Sequence, residues 1–283
     1  MLEEAALNAF IRSALAEDIG NGDHSTMASI PPTAKGKAIL KIKEDGIMAG
    51  MQVAEAILLW LDMFTKFTPY KKDGEPMKAG EIAFEAEAAV HTLLMGERLI
   101  LNCMQRMSGI ATLTHQYVEK LKGYHTKILD TRKTTPNFRM LEKEAVRIGG
   151  GVNHRMGLYD MVMLKDNHID FSGGITNAVN NTVTYLKARN LPLQIEVETR
   201  NLEDVREVLA VGQVNRIMLD NFKPADIVTA LELIKGKYET EASGGITLNN
   251  IEDYAKTGVD YISVGAITHH AVSLDLSLKA IIL

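Results

Sequence analysis

The amino-acid sequence predicts an α/β fold: a small α+β first part, then a parallel sheet closed as a barrel. Two observations carry this. From about residue 126 onward, short apolar runs at 127–130, 161–165, 194–198, 216–220, 238–242 and 261–264 alternate with helical stretches such as 202–211 and 224–234. Alternation of this length builds a parallel sheet, because parallel neighbours need a crossover between them. Nearly every run also ends in a polar residue: Arg132 and Lys133; Lys165, Asp166 and His168; Glu198; Asp220 and Asn221; Glu241 and Ser243. Polar groups spread evenly over strand C-terminal ends favour a barrel of the TIM kind, whereas a doubly wound sheet gathers its site at one crevice.

The elements of the first part follow in order. Residues 3–16 place Ala6, Phe10 and Ala14 on one helical face. Residues 34–49 alternate and contain Gly36, Asp45 and Gly46, so they read as strands and turns. Residues 53–64 are apolar and long enough for a helix. Residues 71–80 are turn-rich, and 81–89 alternate with period two. Residues 97–117 read as a long, largely buried helix that Glu97 and Arg98 open. The expected division is 1–110 for the first domain, with the tail 271–283 assigned to it, and 111–270 for the barrel.

Bulk properties narrow the function. The chain has 283 residues, a hydrophobic fraction of 46% and a net charge of −5. That is enough for one large or two modest domains. No apolar run is long enough to span a bilayer, so no membrane role is expected. The acidic start, Met1-Leu-Glu-Glu-Ala, resembles neither a secretory signal nor a transit peptide. Cys103 is the only cysteine, which rules out intramolecular disulfides and cysteine-based zinc sites and suits a reducing cytoplasm. Negative net charge argues against a nucleic-acid surface.

One segment runs against the overall sign. Between residues 130 and 168, Arg132, Lys133, Arg139, Lys143, Arg147, Arg155 and Lys165 outnumber Asp130, Glu142, Glu144, Asp160 and Asp166. Arg132, Lys133, His154, Arg155 and Lys165 adjoin glycines and apolar runs outside any helical period, which favours an anion clamp over a solvated face. Two glycine turns follow late strands, Ser243-Gly244-Gly245 and Val264-Gly265-Ala266. Each alone is as well explained as a tight turn; together they favour a phosphate site. Glu198 and Asp220 end neighbouring strands, an arrangement for Mg²⁺ that simple ion pairs with lysine or arginine would also explain. Period two puts Glu196 on the face of Glu198, so Glu196 too must find a partner. His115, His125, His269 and His270 read as surface or hydrogen-bonded loop histidines, and the 14 methionines as packing material.

The ordered motifs Arg106-Met-Ser-Gly-Ile-Ala-Thr112, Asp130-Thr-Arg-Lys-Thr-Thr-Pro136, Gly149-Gly-Gly-Val-Asn-His-Arg155, Leu164-Lys-Asp-Asn-His168, Ile195-Glu-Val-Glu198, Leu219-Asp-Asn-Phe222 and Glu241-Ala-Ser-Gly-Gly-Ile246 resemble the quinolinate phosphoribosyltransferase family. So do Glu97-Arg98, Gly258-Val-Asp-Tyr-Ile-Ser-Val-Gly-Ala266 and Gly22-Asp-His-Ser-Thr26, so the likeness spans nearly the whole chain. It implies an N-terminal α/β sandwich domain plus an incomplete TIM-like α/β barrel, the type II phosphoribosyltransferase fold. It implies conversion of quinolinate and phosphoribosyl pyrophosphate to nicotinate mononucleotide, pyrophosphate and CO₂, with Mg²⁺. It implies a cytoplasmic homodimer with shared sites, hexamers being a further assembly.

By the same resemblance, Arg132, His154, Arg155 and Lys165 hold quinolinate, with Arg98 supplied by the partner subunit. Lys133, Asp166 and His168 meet the phosphoribosyl donor with Lys165. Glu198 and Asp220 serve the metal and the ribose. Ser243, Gly244, Gly245, Gly265 and Ala266 bind the 5′-phosphate. Lys133, Lys165, Glu198 and Asp220 form the catalytic set. Two departures stand out: Asn137-Phe138 where many members carry Gly-Leu, and Thr199 in place of an aliphatic residue. The competing readings are a phosphoribosyltransferase for a monoacid such as nicotinate, which needs fewer cations, and a non-enzymatic anion-binding barrel, which would not need the Glu198/Asp220 pair.

Overall fold

The structure, a computed structural model, describes residues 2–281; Met1, Ile282 and Leu283, which the sequence assigns to the first domain, lie outside the described residues. The strands are β1 (Lys35–Ile42), β2 (Gly46–Ile47), β3 (Lys66–Pro69), β4 (Pro76–Met77), β5 (Ile82–Ala89) and β6 (Lys127–Leu129). They continue as β7 (Val162–Leu164), β8 (Ile195–Thr199), β9 (Arg216–Asp220), β10 (Glu239–Ser243), β11 (Tyr261–Ser263) and β12 (Leu276–Ile281). The chain forms two compact units.

The first unit holds the residues up to His115, Thr134–Gly150 and those from Ile267. Its main sheet is antiparallel, in the order β12-β1-β5-β3. Alternation gives it one apolar face: Ala38, Leu40 and Ile42 are buried, and Leu40 pairs with Leu278 on one side and Phe84 on the other. The helix Met51–Leu61 buries Val53, Ala54, Ile57 and Leu58. The helix Val90–Lys120 begins seven residues before the expected start at 97. Val90, Thr92 and Gly96 are weak helix formers that hide this start. Gly96 lets the helix pass close to Leu61, where a Cβ would lie 3.2 Å from Cδ1 and the leucine would have to give slightly. Glu97 and Arg98 therefore sit two turns inside the helix and do not open it.

The division differs from the expected one at residues 134–150, which fall in the first unit and not in the barrel. The cause is a set of buried charges. The helix Arg139–Ile148 buries Glu142, Lys143 and Glu144 along with Leu141, Ala145 and Val146. Glu142 Oε1 accepts from Arg106 Nε at 3.0 Å and Nη2 at 2.9 Å, and from the Thr135 hydroxyl at 2.9 Å. Arg106 also donates to the Ala271 and Thr268 carbonyls. The Asn137-Phe138 departure is absorbed locally. Asn137 has φ +62°, a left-handed conformation that favours glycine but that asparagine tolerates. Phe138 packs edge-on against Phe10.

The second unit comprises Gln116–Lys133 and Gly151–Ala266. Its six strands are all parallel, in the order β6-β11-β10-β9-β8-β7. That order is a cyclic rotation of the sequence order, as a barrel opened between its first two strands requires. Side-chain contacts show the curvature. Val152 bridges to Leu129 on the outer side of β6, five strand spacings from β8, or roughly 24 Å in a flat sheet. Yet His154 Nε2 lies 2.9 Å from Glu196 Oε2 on β8. The sheet is therefore rolled nearly closed. The second departure also fits: Thr199 is fully buried, and its hydroxyl donates to the Met218 carbonyl at 2.8 Å.

Candidate active site

Parallel pairing with period two puts Glu196 and Glu198 of β8, Arg216, Met218 and Asp220 of β9, and Glu239, Glu241 and Ser243 of β10 on one face. The register aligns Glu198 with Met218 and Ser243 with Asp220. Chemistry-bearing groups thus gather at the C-terminal ends of the strands.

The β7 end is organised around a helix start. Lys165 N donates to His168 Nδ1 at 3.0 Å, closing the first turn of the helix Asp166–Ser172. His168 is therefore partly spent on capping. Lys165 is exposed, and its Nζ reaches Glu198 Oε2 at 3.3 Å. The Asp166 amide faces the other Glu198 oxygen at 3.5 Å. Lys165, Asp166 and Glu198 are thus brought together.

The β9 and β10 loops interlock. Asn221, at φ +57°, donates its amide to the Ser243 carbonyl at 2.8 Å and its Nδ2 to Asp220 Oδ2 at 2.6 Å. Gly244 has φ +95°, and a Cβ there would collide with Asn221 Oδ1 and stand 3.0 Å from the Asn221 backbone nitrogen. Gly245, at φ +64°, has nothing within 4 Å of such a Cβ. One glycine is needed for close approach and backbone angle, the other for backbone angle alone. Gly265 and Ala266 follow β11, at the start of the short helix Ala266–His269.

The cations come next. Arg132 is half-buried and Lys133 is exposed, after β6. Arg155 donates from Nη1 to the Met161 carbonyl at 3.1 Å. Its pKa is lowered, first by burial and then by the Arg132 charge. The protein thus holds two guanidinium groups near each other at an electrostatic cost, which an anion between them would relieve. Arg98 belongs to the first unit, where it is exposed and makes no ion pair among the described residues.

His154 is buried, and its contacts are with the barrel's own groups in this structure. The loop carrying it is pinned by fully buried Asp130, which accepts from the His154 amide at 2.8 Å and from Asn153 Nδ2 at 2.6 Å. The ring then turns into the barrel. Its Nδ1 accepts from the Arg155 amide at 2.7 Å; its Nε2 faces Glu196 Oε2 at 2.9 Å and Glu241 Oε2 at 3.2 Å. Arg216 completes the cluster, with Nη1 3.4 Å from Glu241 and 4.0 Å from Glu196, and with Nε and Nη2 on Glu239. Burial raises the Glu196 carboxyl and Glu241 raises it further, to about 7. Glu241 is held low: bonds from His154 and Ser263 and the Arg216 charge outweigh burial. Burial pulls the His154 ring down, but the two carboxylates outweigh it and push it to about 9. The Arg155 amide limits that tendency. Two N–H groups cannot face each other at 2.7 Å, so Nδ1 stays unprotonated and the ring proton sits on Nε2 between the carboxylates.

His154, Glu196 and Glu241 have the composition of a metal cage. A protonated Nε2 has no lone pair for a metal, and Arg216 already supplies positive charge, so the trio does not fit a cation. Glu198 and Asp220 fit better: both present anionic oxygens at strand ends, away from that cluster. The sequence reading left Asp130, Arg216, Asn221 and Glu241 without roles. Period two at Glu196 was the available signal, since it demanded a buried partner and pointed to this interior.

Comparison with known proteins shows the family. The family described as quinolinate phosphoribosyl transferase matches at residues 23–108 for its N-terminal domain and 110–279 for its C-terminal domain. The chain is 46% identical over 288 residues to a chloroplastic nicotinate-nucleotide pyrophosphorylase [carboxylating] of Arabidopsis thaliana, covering 96% of this chain and 82% of that one. It is 43% identical to a probable nicotinate-nucleotide pyrophosphorylase [carboxylating] of Synechocystis, covering 97% and 92%. The crystal structure of NadC from Streptococcus pyogenes superposes with a TM-score of 0.93 at 38% identity, over 100% of this chain and 99% of the other. The chain belongs to the quinolinate phosphoribosyltransferase family.

Proposed function

We infer that this protein is a decarboxylating quinolinate phosphoribosyltransferase of de novo NAD biosynthesis. It joins quinolinate to the phosphoribosyl group of phosphoribosyl pyrophosphate and releases nicotinate mononucleotide, pyrophosphate and CO₂. The observation that carries this is the Arg132–Arg155 pair, two guanidinium groups held within each other's field, with Lys165 a third cation at the end of β7. A monoacid needs fewer cations; a diacid uses all three. Attack by the pyridine nitrogen on the anomeric carbon breaks the bond to pyrophosphate. Lysine charge from Lys133 and Lys165 stabilises what leaves. As CO₂ departs, the bonding pair stays on ring carbon 2, where the adjacent quaternary nitrogen stabilises it, and that carbon then takes up a proton.

Several finer statements belong to the same proposal. Glu198 and Asp220 would hold Mg²⁺, whose charge, when it is bound, offsets that of the pyrophosphate. Asp166, His168, Ser243, Gly244, Gly245, Gly265 and Ala266 would line the donor's phosphate and ribose. The enzyme would act as a homodimer, with the partner subunit's Arg98 completing each quinolinate site; the exposure of Arg98 supports this. A cytoplasmic location is supported by the single, buried cysteine. No helix among the described residues is long and apolar enough to cross a membrane. The test supplies quinolinate labelled in its 2-carboxylate with phosphoribosyl pyrophosphate and Mg²⁺. Labelled CO₂ is expected, with little product when nicotinate replaces quinolinate. No CO₂ release, or equal turnover of nicotinate, would refute the proposal.

A further inference from the structure

We propose that Glu196 and Glu241 are positioning residues for the quinolinate site, acting through His154. This rests on the proposed activity and assigns a role to the charges buried inside the barrel. Two carboxylates in a barrel interior are costly to bury, even when paired. Glu196 and Glu241 are both fully buried, on strands separated by β9, and both converge on one nitrogen of one ring. A hydrophobic pair would fill the interior with no such cost, so the arrangement calls for a reason beyond packing.

The ring supplies it. His154 and Arg155 are adjacent, and the Arg155 amide donates to Nδ1 of the ring. Wherever the imidazole plane is held, that amide must follow, and with it the start of the Arg155 side chain. The ring's other nitrogen, Nε2, faces the two carboxylates. Asp130 anchors the preceding backbone and the Met161 carbonyl anchors the guanidinium, so Arg155 is held at both its backbone and its head group. Such constraint is needed because Arg155 stands beside another guanidinium, and repulsion between Arg132 and Arg155 would push a loose loop outward. Arg216 and Ser263 in turn hold Glu241 in place. On this account, His154 transmits the hold of the two carboxylates to the substrate loop.

The test uses Glu241→Gln, Glu196→Gln and His154→Asn, alone and in pairs. Steady-state constants for both substrates are measured by CO₂ release, and quinolinate binding by calorimetry. The glutamines keep shape and hydrogen-bonding atoms, so the fold should survive. Each single change should raise the quinolinate KM roughly tenfold, as loss of positioning does, and leave the phosphoribosyl pyrophosphate KM within about twofold. Glu241→Gln added to His154→Asn should raise it no further, because both act along one path. Multiplying effects, equal changes for both substrates, or an unchanged quinolinate KM in Glu241→Gln would overturn the proposal. Lower kcat and lower binding stoichiometry with unchanged KM would mean lost folded protein alone, and would overturn it too. If the wild type neither binds nor decarboxylates quinolinate, the activity itself is refuted, a result distinct from an active wild type with indifferent variants.

Discussion

The Gly244–Asn221 contact makes a quantitative test of the phosphate loop. Gly244→Ala forces an L-residue to φ +95° and drives its methyl into Asn221. The backbone angle alone costs roughly 1–3 kcal/mol. The overlap adds about 1–3 kcal/mol, because the Asn221 backbone nitrogen, 3.0 Å from the new carbon, is tied to Ser243 and cannot retreat freely. Gly245→Ala meets open space at φ +64°, so only the left-handed penalty of about 1–2 kcal/mol applies. Thermal unfolding reads the difference, at roughly 2–4 °C per kcal/mol for a chain of this size. Gly244→Ala should also raise the phosphoribosyl pyrophosphate KM more than Gly245→Ala does, since it displaces both loops. Equal melting temperatures and equal KM values for the two variants would refute the reasoning.

Three further outcomes are expected. Arg132→Lys or Arg155→Lys should weaken quinolinate binding by ~1.5–3 kcal/mol, since lysine cannot reproduce fork geometry, with little change for phosphoribosyl pyrophosphate in calorimetry. Glu198→Gln and Asp220→Asn should lower turnover and raise the Mg²⁺ needed for half-maximal rate; wild-type turnover at limiting Mg²⁺ in both would remove the metal role. Mixing inactive Arg98→Ala and Lys133→Ala subunits should restore roughly a quarter of wild-type activity, because half of random pairs are mixed and each has one intact site. No recovery, with exchange verified by mass spectrometry, would place Arg98 outside a shared site.

The barrel was legible because its strands are short apolar runs that end in charge, a pattern local to each run. The Glu196 problem was legible too, since alternation alone put a second carboxylate on the inner face. Its solution was not. Which nitrogen meets Glu196 depends on closure across five strand spacings, and no local pattern in Gly149–Arg155 encodes where the His154 ring points. The placement of residues 134–150 was hidden for another reason. The helix Arg139–Ile148 turns charged residues inward, and Glu142 is neutralised by Arg106, 36 residues away. Hydrophobic periodicity assigns such a helix to no core. The early start of the helix Val90–Lys120 was masked by β-branched residues and by Gly96, whose role is close approach to Leu61.

The strand order also sets a timetable for the newborn chain. β6 borders β11, with Leu129 opposite Ser263, and β1 borders β12, with Ala38 opposite Ala280. Neither first strand has its long-range neighbour until β11 or β12 has been made. For β6 the gap is 134 residues (263 minus 129), which at typical elongation takes on the order of ten seconds. During that interval β6 waits without its sheet, with Arg132 and Lys133 following its C-terminal end. Closure of these sheets should therefore be slow, as pairing over such sequence separations dictates. Loss of the last dozen residues would strip β12 from β1 and leave an apolar sheet edge exposed.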